Sequence, residues 1–569
     1  MKFRLPAIAA VLFGCLSCID IDTELGGNLI PKDQTYTIYP REALLPVGSI
    51  STRLTDSLSG YSQTRITIGA IRDEVFGLTS RSSVLTLVPL KDTLDFGNAA
   101  AAKVISFHFA AALDSVSVAS KDQSNIIQQV RVHELLEPVS PGKDYDCLGS
   151  SVKVDWSKPV SLGTTTINGT DSLSFDFTEE YARKILALKQ EDLSSFAAFS
   201  KKVPGIHLSV DAPSGIGGRI NIFELQLGYS SSEKYVTGNY AKLSLKCDYD
   251  YDGKPEKDTV FRFIYGLTDF TDIDSLITNS STSRGSYPEY ALNLTGHESR
   301  GMAGVAQNTV TIEGGGGLKP VISALSLKHL AEDMIRAEGG DPKGAVINKA
   351  SLILPFPFPA DYREMFKFPQ VLSPTCRIRQ SDTLVTFASL TDAASSDENQ
   401  GDINRSTLCY EPDITYHLQE LLKIDENPSD GEAETAKVRR GKLLGGEYDI
   451  WLIITAHETI TTESNSSSLS DYYQMLAYQN YYNNMYYGGY GGYGYGYGYG
   501  YGGYGYDSYS NYYSMMMYYN MLNSSSSSTS TQDMLDKDRY YCATLYGPAC
   551  EDASLRPRLQ LTFSLPGSE

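Results

Sequence analysis

The chain is short of positive charge. Its 48 lysines and arginines face 68 aspartates and glutamates, a formal net charge of −20. Binding to phosphate backbones needs a basic face, so nucleic acid is not an expected partner. The carboxylates are spread along the chain, the pattern of a solvated surface. Cysteine is also sparse. Beyond position 18 there are six, Cys147, Cys247, Cys376, Cys409, Cys542 and Cys550, and none forms a C-x-x-C pair. A structural zinc site is therefore not expected. Only Cys542 and Cys550 lie close enough in sequence to raise a local disulfide. Catalytic signatures are missing as well. The histidines at 108, 133, 207, 297, 329, 417 and 457 are scattered, and His457-Glu458 lacks the second histidine of H-E-x-x-H. Gly314 to Gly317 runs into Leu318-Lys319-Pro320 rather than the Gly-Lys-Ser/Thr of a phosphate loop. No G-x-S-x-G elbow occurs. Enzymatic activity is not expected.

The N-terminus carries the clearest signal. Lys2 and Arg4 precede an apolar run from Leu5 to Leu16. That run is shorter than the ~20 residues of a membrane-spanning helix but suits a signal peptide. Small Ser17 precedes Cys18 and an acidic stretch follows it, the arrangement of a lipoprotein cleavage site with Cys18 as the lipidated residue. Cys15 is the rival, preceded by Gly14 with Leu12 three places before it. The expected layout is a signal peptide over 1–17, a tether over 18–40, and two sandwich domains over 41–250 and 251–569.

The body reads as strands. Arg65 to Ile71, Val84 to Val88, Val116 to Val118, Val130 to Leu135 and Ile220 to Leu227 alternate or are β-branched, with Gly, Pro, Asp and Ser between them. Thr178 offers an N-cap to a helix through Leu188. Ile322, Leu325, Leu330 and Met334 have helical spacing before Gly339-Gly340. Many short strands with turn signals favour sandwiches over an α/β fold.

The two halves share an order. Phe175-Asp176-Phe177-Thr178 leads to a helix, the strand Gly205 to Val210, and a closing strand Ala241 to Lys246. Pro412-Asp413-Ile414-Thr415 leads to a helix, the strand Tyr448 to Ile454, and a closing strand Pro557 to Thr562. This order resembles jelly-roll-type sandwiches of carbohydrate-associated surface proteins. It also locates an insertion over 461–537, where twenty of the forty tyrosines fall between Tyr472 and Tyr519 among glycines and serines. Having almost no aliphatic residues, that stretch is expected to be disordered. The expected fold is mainly β: two jelly-roll-like sandwiches with short helices and a disordered Tyr/Gly-rich insertion.

Further segments carry a family resemblance. They are Gly26-Gly27-Asn28-Leu29-Ile30-Pro31, Ile68 to Gly77, Ile347-Asn348-Lys349-Ala350-Ser351-Leu352 and the closing Arg556 to Phe563. With the acceptor cysteine they resemble the Bacteroidota lipoproteins grouped as domain of unknown function 4270. The resemblance implies an envelope lipoprotein and brings no activity with it. Asp followed by Ser or Thr and an aliphatic residue occurs seven times, at 56, 92, 114, 171, 258, 274 and 382. This tripeptide resembles the O-glycosylation sequon of the same bacteria, and it also suits the start of a strand after a turn.

One metal pattern stands out. Asp248-Tyr249-Asp250-Tyr251-Asp252-Gly253 matches the opening of a calcium loop, with Asp248, Asp250 and Asp252 as ligands. Position twelve is Thr259 instead of Glu, and Pro255 interrupts the loop, so an Asp-Gly hairpin turn is the alternative. Together these features describe a lipid-anchored outer-membrane protein, exposed at the cell surface. It would serve as a binding or accessory subunit of an envelope complex with a β-barrel partner. The alternative is a glycan-binding protein or adhesin. The anchor is directly testable: Cys18→Ser is expected to release the protein from the membrane fraction and Cys15→Ser to leave it there, as read by fractionation. The reverse pattern moves the lipid to Cys15.

Overall fold

The computed structural model describes residues 36–566 apart from 56, 63–64, 90–93, 141–142, 225–226, 231–234, 239, 267–290, 396–399, 430 and 463–527. Cys18 and the tyrosine-rich run lie outside the described residues. The protein is mainly β, with antiparallel sheets packed around two large apolar cores. No helix among the described residues is long and apolar enough to cross a membrane.

In the first core, Lys103–Ala111 lies between Leu173–Asp176 and Tyr240–Cys247, and Lys257–Gly266 pairs on the far side of Tyr240–Cys247. Alternation sets the buried face. Ala241, Leu243, Leu245 and Cys247 point inward, while Lys242, Ser244 and Lys246 are more exposed. Phe107 and Phe109 meet Phe177 and Phe175 at ring-centroid distances of 4.6 and 4.8 Å. Such pairs each add ~0.5–1.5 kcal/mol beyond area burial. Gln128–Leu135, Ile206–Val210 and Gly77–Pro89 complete the other wall.

The second core repeats this plan. Val346–Pro355 lies between Cys409–Tyr410 and Arg558–Pro566, and Val371–Arg379, Ile450–Thr462 and Leu318–Ile322 follow one another in its second sheet. The register repeats too. The Phe177 N–H donates to Phe107 O at 2.8 Å, and the Ile414 N–H donates to Ala350 O at 2.8 Å. Asp176 stands opposite His108, and Asp413 opposite Ser351. Leu243 pairs with Phe107, and Leu561 with Ala350. Leu243 therefore corresponds to Leu561, two residues beyond the match that the sequence suggests. A slip of two keeps every side chain on its face, which is why the hydrophobic pattern alone does not detect it.

Both motifs start helices. Thr178 caps Glu179–Leu186 by accepting the Tyr181 N–H, while Thr415 opens Thr415–Leu422 and its hydroxyl oxygen accepts the Ala350 N–H. The 322–334 periodicity resolves into Ala324–Ala337, capped by Ser323, with Ile322 ending the preceding strand.

The cores do not divide at 250/251. Lys257–Gly266 and Ala291–His297 both pair with Gly77–Pro89 and belong to the first. Conversely, Tyr36–Leu44 pairs with Arg558–Pro566, and Ile50–Leu54 with Leu318–Ile322, so the start of the chain completes the second core. Residues 36–40 are thus strand rather than tether. Strand edges take whatever segment satisfies their hydrogen bonds, and sequence adjacency does not decide which.

The insertion is shorter than 461–537. Ile450–Thr462 forms a hairpin with Ser528–Leu535, from Thr455 opposite Leu535 to Thr462 opposite Ser528. Beyond it Asp536 is buried and Lys537 reaches the interior. Replacing 463–527 with a short Gly/Ser linker is expected to preserve the melting transition. Replacing all of 461–537 is expected to lower the melting temperature by several degrees. Equal melting of the two variants would show that the hairpin arm and Lys537 contribute nothing.

Candidate functional site

The calcium-loop pattern sits in the turn between Tyr240–Cys247 and Lys257–Gly266. Its three carboxylates are not brought together. Asp248 is buried, and its Oδ1 accepts the Asp252 N–H at 3.2 Å. Its Oδ2 accepts the Gly253 N–H at 2.9 Å and Asn98 Nδ2 at 3.1 Å. Asp252 Oδ1 instead accepts the Lys254 N–H. Tyr251 and Gly253 take positive φ, 56° and 81°, as a tight reversal requires. Two of the three hydrogen bonds to Asp248 come from the turn's own N–H groups, so Asp248 closes the turn. Among the described residues no group of three His, Cys, Asp or Glu side chains is arranged to hold a metal, and no disulfide is formed, so Cys542 and Cys550 are not joined.

The tetraglycine has a role that the sequence did not disclose. Lys319 is fully buried, and its ammonium donates to the carbonyl oxygens of Glu313, of Gly315 at 3.1 Å and of Gly317 at 3.4 Å. Burial pushes its pKa down to about 7, partly opposed by Glu313. The turn is thus a carbonyl cradle for a cation, opposite in polarity to a phosphate loop. Glycine is required because neighbours press on it: a Cβ at Gly315, whose φ is +59°, would lie 2.4 Å from Arg81 Nη2, and one at Gly316 would lie 2.6 Å from Cys147 Sγ. Glu313 is held by Ser299 Oγ and the Leu318 N–H, with His297 Nδ1 at an ion-pair distance of 3.4 Å. Lys537 enters the same region and donates to Ser59 O at 3.0 Å and Tyr61 O at 2.8 Å. The one sequence signal was a lysine set inside the apolar strand Leu318–Ile322.

Two surface features were also missed. Trp156 is 61 % exposed and rests on the rings of His133 and His207, 5.0 and 5.2 Å away. These histidines face each other across paired strands, and burial lowers both pKa values, that of His207 to about 4. Neutral rings therefore support the indole near pH 7. Elsewhere Ser174 Oγ donates to His108 Nε2 at 3.2 Å, and His108 Nδ1 donates to Asp176 Oδ1 at 3.0 Å. That order of groups is the one a nucleophilic serine uses. Here it lies on an open strand face with the His108 and Asp176 side chains 43 % and 44 % exposed, without the water-excluding walls that such chemistry relies on.

The serine or threonine of the recurring tripeptide is exposed at Ser172 and Thr383, in the turns before Leu173–Asp176 and Val385–Ser389. Ser57, Ser115 and Thr259 are half-buried, and Thr93 and Ser275 lie outside the described residues. Comparison with protein-family models, curated proteins and solved structures returns no match.

The Asp248 turn yields a measurable expectation. Asp248→Ala removes the acceptor of three partly buried hydrogen bonds and is expected to destabilise the protein by about 2–3 kcal/mol, whereas Asp250→Ala and Asp252→Ala stay close to wild type. Melting curves with and without millimolar calcium complete the test. A calcium-dependent rise that all three substitutions abolish would replace the turn reading with a metal site.

Proposed function

We propose that this protein is a lipid-anchored envelope protein of the outer membrane, similar to the Bacteroidota family named above, and that it acts by binding as an accessory subunit of a membrane complex. The observation that supports this reading best is the outer face of Tyr36–Leu44. Tyr39 turns inward to stack on Phe563, while Tyr36 is 59 % and Ile38 61 % exposed on the opposite face. Through the intervening strand Arg558–Pro566 they adjoin Val346, itself exposed. Exposed apolar side chains grouped on one sheet face, here on either side of Ser564, are the material of an interaction surface. The eighteen residues from Cys18 to Tyr36 span at most about 60 Å, so a lipid on Cys18 holds the patch close to the membrane. A β-barrel subunit in that membrane is the partner this placement favours.

Trp156 favours a second reading. Its exposed indole, backed by two neutral imidazoles, offers a flat apolar face of the kind that sugar rings stack on. One purification separates the two. From detergent-solubilised membranes the wild-type chain is expected to bring down a β-barrel protein in stoichiometric amount. The double substitution Tyr36→Asp, Ile38→Asp is expected to lose it, and Trp156→Ala to retain it. Recovery of a monomer carrying polysaccharide, released by Trp156→Ala, would overturn the accessory-subunit reading in favour of glycan binding.

A further inference from the structure

We propose that the cavity beside the tetraglycine turn is a binding site for one small monovalent anion of the halide class, held by the guanidinium of Arg81. Arg81 is 2 % exposed and lines a cavity of about 10 Å³ together with Thr67, Thr295, Lys537, Cys147 and Gly316. Its Nη1 donates to Ser80 O at 3.2 Å and lies 3.5 Å from His297 Nε2. Its Nε and Nη2 are buried with no hydrogen-bond partner. Leaving guanidinium N–H groups unpaired in the interior is costly. The same chain shows the usual remedy at Arg219, also fully buried, which is saturated by Asn221 Oδ1 and by the carbonyl oxygens of Ser124, Ile126 and Ile167.

Arg81 has no such set of acceptors. The carboxylates nearest in charge are engaged elsewhere. Glu313 takes Ser299 and the Leu318 N–H. Asp536 takes Arg539 at 2.9 Å and the Tyr541 hydroxyl at 2.9 Å. Asp538, which also lines the cavity, faces Arg65 at 3.7 Å. Other groups at the cavity have donor capacity to spare. Thr67 Oγ1 and Thr295 Oγ1 are buried without partners, and Lys537 has two of its three N–H groups committed to carbonyls.

Size narrows the ligand further. A space on the scale of one water molecule excludes phosphate, sulfate and carboxylates. The guanidinium and ammonium in the lining disfavour a metal cation, and the Asp538 carboxylate there faces Arg65. A halide accepts hydrogen bonds from all directions and neutralises the unpaired edge of Arg81, which a water molecule cannot do.

The test uses the full mature chain. Its melting temperature is compared in chloride, bromide and gluconate salts at equal ionic strength. A ligand that binds only the folded state raises the transition, so a value several degrees higher in both halides is expected. Arg81→Met should remove that difference and Thr295→Val, which keeps the side chain's shape, should reduce it. Crystals grown in bromide should show an anomalous peak in the cavity, a readout that stands even if Arg81→Met does not fold. Equal melting in the three salts, a halide effect that persists in Arg81→Met, or a cavity holding water alone would each overturn the proposal.

Discussion

The pairing of Tyr36–Leu44 with Arg558–Pro566 is the contact on which the second half of the molecule depends. Nine consecutive residues of the first strand are matched to nine of the last, from Tyr36 opposite Pro566 to Leu44 opposite Arg558. In the first core the corresponding place beside Tyr240–Cys247 is taken by Lys257–Gly266, the very next strand. In the second core the place beside Arg558–Pro566 is taken by Tyr36–Leu44, from the opposite end of the described residues. Leu45 and Ile50 are carried into its apolar interior by the same connection. Among the described strands this pairing has the longest sequence separation, so its loop-closure entropy has to be met before its hydrogen bonds form.

Besides an apolar contact of Ile71, Ile220 and Ile222 with Tyr540 and Cys542, a polar cluster ties the two halves together. Lys319, Lys537, Arg81, Glu313 and Asp536 lie close together in it, and desolvating such groups costs several kcal/mol each unless partners replace water. Backbone carbonyls supply most of the replacement, at Glu313, Gly315 and Gly317 for one lysine and at Ser59 and Tyr61 for the other. Those carbonyls come from segments far apart in sequence, and Lys537 itself follows the hairpin that bounds the tyrosine-rich stretch. The knot thereby ties the N-terminal residues near 60, the glycine turn and the segment after the insertion into one place. Burial in such a network gives orientation more than net stability.

Both surfaces proposed to bind follow from this arrangement. An N-terminal strand fixed at the sheet edge places Tyr36 and Ile38 next to the tether, and a sheet made of repeated strands places Trp156 over two facing histidines. The other tryptophan, Trp451, lies in Ile450–Thr462 of the second core's sheet. There the indole is buried beside Phe387, with Arg53 and Arg377 over its ring. One tryptophan of the chain is thus exposed and the other covered.

Much of the plan was decided by local chemistry. Alternating apolar residues determine strands and their inward faces, Thr178 determines a helix start, and the shared order around Asp176 and Asp413 announces two similar units. These depend on periods of two and 3.6 residues and on capping, all of which act within a few positions. The aspartates at 248, 250 and 252 show the limit of such reasoning. Their spacing fits both a metal loop and a turn, and it does not disclose that the Asp248 carboxylate accepts the N–H groups of Asp252 and Gly253. Tertiary structure alone decided that strands from the N-terminus complete the second core, that the carbonyls of the glycine turn cradle a lysine, and that Arg81 is left with an unpaired edge. Each of those outcomes joins residues more than two hundred positions apart, or is enforced by a neighbour that is, and no local pattern encodes such contacts.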